Sequence, residues 1–209
     1  MKSRPVFIVL IGALLALLLL QQLSWAGHRL MAELWAFPAV SSLEWWEEWD
    51  IDPADAEWQP VHRGLKTALG YMPEDPKLLA YMGDLYTQRL SDDALTDGQE
   101  YEAVARGSQT YLNALKQRPT WVRDWDDLAL IKYNQASYTN TEYQLALRQM
   151  VRFGAKRRGI MELLVDMSIK SWAALDNNTR MMIVEHTDFE EVRSQRSTST
   201  APDVGPGTM

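Results

Sequence analysis

The sequence predicts an all-α chain, with one N-terminal membrane-crossing helix followed by a short stack of helical hairpins. Three observations carry that expectation. Val6 to Ala26 is a 21-residue stretch without a charged side chain, and roughly 20 apolar residues suffice to cross the hydrocarbon layer as a helix. From Asp52 to about Val192, apolar residues recur at three- and four-residue spacing and nowhere alternate as a half-buried strand would. A pattern centred on one proline also returns 46 residues later around another.

The N-terminal segment comes first. Val6 to Leu20 is an unbroken apolar run of 15 residues, extended through Gln21, Gln22, Leu23, Ser24, Trp25 and Ala26. A lipid-spanning segment must satisfy its own backbone hydrogen bonds, so it is read as helix. Lys2 and Arg4 precede it, which favours a cytoplasmic N-terminus and export of everything after residue 26. His28 and Arg29 on the far side oppose that bias in part. Ser24 and Ala26 also stand at −3 and −1 of a possible signal-peptidase cut, so a cleaved signal segment is the second reading of residues 1 to 26. Both readings deliver the remainder across the membrane. In a bacterium, the anchored form is a single-pass inner-membrane protein with a periplasmic C-terminal domain.

Composition narrows what that domain does. The chain has 209 residues, 21 basic and 28 acidic, for a net charge of −7. Removing Lys2 and Arg4 leaves 19 basic against 28 acidic side chains, a charge of −9 for residues 27 to 209. Nucleic-acid phosphates would repel such a body. Cysteine is absent, which removes disulfides, thiolate chemistry and cysteine-ligated metals. The three histidines, His28, His62 and His186, are too far apart in sequence to share one helix face. No cofactor or metal is expected.

Residues 27 to 52 are read as a tryptophan-rich linker helix containing Trp35, Trp45, Trp46 and Trp49 among Glu44, Glu47 and Glu48. Pro38 is expected to interrupt the helix leaving the membrane, and Ser41-Ser42 to cap a new one. Trp45 and Trp49, four residues apart, would form one apolar face against the domain or bilayer. Alternatively Trp45, Trp46 and Trp49 form a sugar-stacking or lipid-contacting patch, or contact a partner.

Helices are expected around Val61–Leu69, Leu78–Tyr86, Val104–Leu115, Trp121–Tyr133, Thr141–Phe153, Gly159–Leu175 and Asn178–His186. They form a body over residues 53 to 192, punctuated by Pro53, Pro76 and Pro119. Residues 193 to 209 hold Ser, Thr, Pro and Gly, too little apolar surface to order themselves, and are expected to be disordered.

The self-match runs through this body. Ala68-Leu69 leads to Pro73, and Ala114-Leu115 leads to Pro119; ten residues past each proline stands a small residue, Gly83 or Ala129. The pattern resembles the tetratricopeptide (TPR) repeat, where an alanine-rich helix ends at a proline and the next pair opens on a helix with a small residue inside. The resemblance implies that Ala68, Gly83, Ala114 and Ala129 let neighbouring helices approach closely, and that a concave face binds partners. Its period of 46 residues departs from the TPR value of about 34, the excess falling near the polar stretch Ser91 to Gln99. Tyr81 and Tyr86 lie on the helix that would line the groove.

Catalytic patterns are sparse. His186 follows Glu185 without a zinc-protease string, and no phosphate-cradling glycine loop occurs. Asp124, Asp126 and Asp127 are read as helix-start acids near the positive dipole end. A carbohydrate-active enzyme using Glu47, Glu48 or those aspartates is the rival from a different class. Arg148, Arg152, Lys156, Arg157 and Arg158 form one positive island, read as a solvated helix end or as a contact for an acidic partner.

Finally, Ile160-Met161-Glu162-Leu163-Leu164 and Lys170 to Arg180 (KSWAALDNNTR) place a helix ending at Trp172 before a second starting near Asp176 and running past Arg180. With the anchor and the TPR-like middle, the chain resembles VpsP-type polysaccharide biosynthesis proteins. That resemblance implies a non-enzymatic accessory or scaffold role in exopolysaccharide or capsule assembly, with protein partners in a membrane complex. A periplasmic TPR chaperone or assembly factor for a secretion or cytochrome-maturation complex is the alternative.

Overall fold

The computed structural model of the chain describes residues 3–91, 95–187 and 189. The tail expected over 193–209 and positions 92–94 of the polar stretch lie outside them. Among the described residues the fold is all-helical, with no strand. The chain divides into two compact units, Met1–Leu95 and Thr96–Met209, the boundary falling inside the polar stretch that separates the two copies of the self-match.

The first unit is built on α1 (Ser3–Trp49), α2 (Asp55–Tyr71) and α3 (Pro76–Arg89). The 47 residues of α1 span about 70 Å. It passes residue 26 without a break, and Pro38 lies inside it, correcting the expected interruption. Proline in a helix interior costs about 3 kcal/mol. Here the far side of α1 is held by packing, because Ala32, Ala36, Ala39, Leu43 and Trp46 are all buried along its seam with α2. Ala32, Ala36, Ala68 and Leu78 form one core cluster, flanked by Val40, Leu69, Tyr71 and Met72.

Close approach of α1 and α2 is made possible by Gly64. A Cβ there would stand 3.0 Å from the Trp35 carbonyl oxygen and 3.2 Å from the Ala39 Cβ. At the C-terminus of α1, Asp50 takes a positive φ of 50°, and the Ile51 N–H donates to the Trp46 carbonyl at 2.9 Å. The residue after the helix thus turns left-handed. Asp75 caps α3, accepting from the N–H groups of Lys77 and Leu78, and Pro76 occupies the first helical position.

The second unit contains α4 (Asp97–Gln117), α5 (Val122–Asn134), α6 (Thr141–Gly154), α7 (Arg158–Ser171), a 3₁₀ turn (Trp172–Ala174) and α8 (Asn177–His186). The bounds of α5 to α8 lie close to those read from periodicity, whereas α4 begins seven residues before Val104 and takes in Asp97 to Gln99 of the polar stretch. Thr96 caps α4 and Asn140 caps α6 through side-chain oxygens, and Asp176 caps α8 by accepting from Thr179 N–H at 2.7 Å. Leu128, Ile131, Ala146, Leu147, Met150, Leu164 and Ile183 are fully buried. At the turn from α6 to α7, a Cβ on Gly154 would meet Ile160 Cγ2 at 2.7 Å.

Both copies of the self-match are helix–turn–helix pairs, α2–α3 in one unit and α4–α5 in the other. Ala68, Gly83, Ala114 and Ala129 are all buried. In each pair the alanine sits one turn before the first helix ends, where its carbonyl accepts the capping N–H of Met72 or Arg118. Pro73 and Pro119 follow one residue later and stop the helix.

Candidate interaction surfaces

The aromatic candidates separate by face. Trp46 is buried at the α1–α2 seam, and Tyr86 is buried in a cluster with Trp58 and His62. Neither is open to a partner, which corrects the expectation for both. Trp58 stacks on His62 with ring centroids 4.8 Å apart and donates from Nε1 to the Leu85 carbonyl at 3.1 Å. His62 Nε2 lies 3.2 Å from the Tyr86 hydroxyl, so Tyr86 joins α2 to α3. Tyr81 is half-buried, with the Lys77 ammonium 5.5 Å above its ring.

Trp45 and Trp49 are the exposed members, at 52% and 65% of their full surface. They do not form the face that packs on the domain, because the seam with α2 uses Trp46 and Leu43 instead. With Leu30, Leu34 and Phe37, also exposed, they leave a long apolar arc on the outer side of α1. Sequence reading noticed the tryptophans and missed the aliphatic residues leading to them.

The basic island is also divided. Arg148 is held inside the second unit, donating to Asp176 Oδ2 at 3.0 Å and to Thr179 Oγ1 at 2.7 Å, which corrects its assignment as a free contact. Burial pushes the Asp176 carboxyl up, while the Thr179 donors and Arg148 outweigh that and hold it below the ordinary carboxylate value. Arg152, Lys156 and Arg157 are exposed where α6 turns into α7. The Arg152 guanidinium lies 5.3 Å from the Phe153 ring centroid, and Arg158 pairs with Glu162 at 2.8 Å.

The aspartates read as helix-start acids have a more specific arrangement. Asp124 does lie in the first turn of α5, but it is buried and grips Arg118 through two bonds of 2.7 and 2.8 Å. Burial raises the Asp124 carboxyl above its ordinary value despite the opposing Arg118 guanidinium. The pair closes the α4–α5 turn, where Trp125 Nε1 also donates to the Pro119 carbonyl at 2.8 Å. Lone sequence spacing gave no sign of it, since the six-residue gap spans a turn whose shape local pattern does not fix.

Around α6, polar side chains bind three elements. The Tyr143 hydroxyl donates to Ser171 Oγ at 3.0 Å, which donates in turn to the Met167 carbonyl. Burial pushes the Tyr143 phenol up to about 12, so it stays a donor at ordinary pH. Gln144 accepts from the Asp176 N–H at 2.8 Å and donates to the Ala174 carbonyl at 3.3 Å. Trp172 is half-buried, stacked on Phe189 at 4.1 Å, and Arg180 lies over its other neighbourhood with its guanidinium 5.9 Å from the ring centroid. The KSWAALDNNTR stretch is therefore the joint between α7 and α8.

Among the described residues no group of three or more His, Asp and Glu side chains is placed to hold a metal ion. Among the same residues one helix, at the N-terminus, is long and apolar enough to cross a membrane, and none of its most apolar window is buried in the protein. In comparison with known proteins, no family model, no curated protein and no solved structure matches this chain.

Proposed function

We propose that this chain is a non-enzymatic accessory protein of bacterial exopolysaccharide or capsule assembly. In this reading it is anchored in the inner membrane by residues 6–26 and docks protein partners on the periplasmic side. The observation that carries the docking reading is the repeated hairpin. Ala68–Pro73–Gly83 and Ala114–Pro119–Ala129 occupy matching places in two helix pairs, with every small residue buried. Arrays of such pairs present side chains in rows and bind extended partners. A TPR-like stacking of the pairs belongs to the same proposal, as does the likeness to VpsP-type proteins.

The surfaces available for docking are the outer arc of α1 around Trp45 and Trp49 and the cationic turn at Arg152, Lys156 and Arg157. On a body this acidic, three neighbouring exposed cations favour an acidic partner there. Affinity capture of the full chain from membranes, probed for polysaccharide polymerase and co-polymerase components, tests the proposal. Their recovery, with reduced glycan in a deletion strain, is the expected result. Capture of none of them with normal glycan output would overturn it.

A further inference from the structure

The turn between α2 and α3 has a position that the docking reading does not use. Gly64 of α2 lies against the Trp35 carbonyl and Ala39 of α1. Tyr71, seven residues later, has its ring centroid 6.2 Å from that of His28. Contacts that advance along α2 while retreating along α1 make the two helices antiparallel. α2 therefore runs back toward the apolar segment 6–26 and ends beside the residues that leave it. α3 returns from the same end, since Leu78 shares a core cluster with Ala32, Ala36 and Ala68.

Heights along α1 place this end. At about 1.5 Å per residue, Val6 to Ala26 rise about 31 Å, the thickness of a hydrocarbon layer, and His28 lies about 3 Å beyond Ala26. Helical side chains lean toward the N-terminus of their own helix. The His28 ring thus leans toward the apolar segment, and the Tyr71 ring, on an antiparallel helix, leans away from it. The Tyr71 backbone then stands closer to the apolar segment than its ring, and the turn from Met72 to Asp75 follows from there. Headgroups extend about 5–8 Å beyond the hydrocarbon. A helix tilt of about 20° moves an element about 8–10 Å off the α1 axis by only about 3 Å, which keeps the turn within that layer.

We propose that the α2–α3 turn rests in the headgroup layer of the membrane that α1 crosses, a second lipid contact beside the anchor. This step rests on the anchor reading. The side chains suit such a layer. Tyr71 and Met72 are half-buried against the core cluster, which leaves a phenol and a thioether at the end of the hairpin. Tyrosine is enriched where one side is apolar and the other wet. Gly70, Pro73 and Glu74 are exposed, and a Cβ at Gly70 would meet no atom within 4 Å. Glu74 and Asp75 offset Lys77, so the turn has no charge that would draw anionic lipid, and zwitterionic headgroups fit it best. Anchor and turn together would fix the orientation of α1, α2 and α3 to the bilayer, where a lone anchor leaves them free to swivel.

The absence of natural cysteine makes the test direct. Gly70→Cys, Glu74→Cys, Glu48→Cys and Leu17→Cys, each introduced singly into the full chain, are labelled with a nitrobenzoxadiazole fluorophore. The chains are reconstituted in phosphatidylcholine vesicles carrying a nitroxide either on the headgroup or midway along the acyl chain. Glu48 is exposed and stands about 33 Å past Ala26, out of reach of lipid. Headgroup nitroxide is expected to quench the labels at Gly70→Cys and Glu74→Cys several-fold more than the label at Glu48→Cys. Acyl-chain nitroxide is expected to quench the label at Leu17→Cys, which reports the anchor separately. Quenching at Leu17→Cys with no excess at Gly70→Cys and Glu74→Cys overturns the lipid contact and keeps the anchor. No quenching at Leu17→Cys overturns the anchor and the contact with it.

Discussion

In residues 1–95 α1 meets α2 across alanines and a glycine, whereas the elements of residues 96–209 are tied by charges and hydroxyls. In the first unit Ala32, Ala36, Ala39, Gly64 and Ala68 bring α1 and α2 together with little polar chemistry between them. In the second, Arg118–Asp124, Lys132–Glu142 and Tyr143–Ser171 join successive helices, and Arg148–Asp176–Thr179 joins α6 to α8. A small-residue seam depends on shape and is insensitive to pH and salt. A polar joint fixes which turn meets which, and loses stability when one partner is removed. The first unit also leaves much of its apolar surface open, while the second has few large apolar side chains exposed, such as Trp121, Met181 and Val184.

The largest expected effect is in the polar unit. Arg118→Ala leaves the Asp124 carboxylate buried alone and should cost about 3–5 kcal/mol, read from the denaturation midpoint. Replacing both partners, with Arg118→Met and Asp124→Leu, should cost much less, because no unpaired charge remains. If the single and double variants melted alike, the pair would have no part in closing the α4–α5 turn.

In the small-residue unit the matching change is Gly64→Leu. The branched side chain would run into the Trp35 carbonyl and Ala39, and overpacking of this kind costs about 1–3 kcal/mol. The loss should be the same at low and high salt. Strong salt dependence would erase the contrast between the units.

Trp172→Ala should cost about 2 kcal/mol, below the roughly 3–5 typical of a fully buried tryptophan, since the ring is half-exposed and mainly stacks on Phe189. Chemical denaturation measures it.

pH separates two carboxylates of the second unit by sign. Asp176 is held below its ordinary value of 3.8, so its stabilisation is present above that pH and fades as pH falls through the lower folded value. Asp124 is raised above 3.8, so its contribution is full below that pH and is lost as pH rises through the raised folded value. Asp176→Asn should therefore flatten the acid limb of the stability curve. An unchanged acid limb would exclude the Arg148–Asp176–Thr179 joint as its source.

The smallest effect concerns two helix ends. Asp50 and Ala136 adopt positive φ, 50° and 51°, where a Cβ costs about 1 kcal/mol. Ala136→Gly should raise stability by up to about that amount, and a loss on thermal melting would show that the turn needs the methyl group.

How much of this was legible in the chain follows the same division. Periodicity and caps located α2 to α8, because Asn140, Asp176 and Pro76 act through neighbours three residues away or fewer. The self-match correctly marked buried Ala68, Gly83, Ala114 and Ala129. Pro38 misled, since a local rule against proline was outweighed by the α2 seam, a tertiary contact. Arg148 misled for a related reason, and Asp124, read as a helix-start acid and found there, has a second role the pattern did not show: both find partners, 28 and 6 residues away, across turns. Trp46 and Trp45 are adjacent, and only the direction from which α2 packs decides which one is buried.

The account depends most on α1 crossing the membrane with the hairpins beyond it. Protease treatment of spheroplasts, followed by blotting for tags at each end, tests that directly. The account predicts a chain that sediments with membranes, with the body digested from outside and a protected N-terminal fragment. A body that is digested only after the membrane is ruptured, or a chain recovered in the soluble fraction at full length, would contradict it.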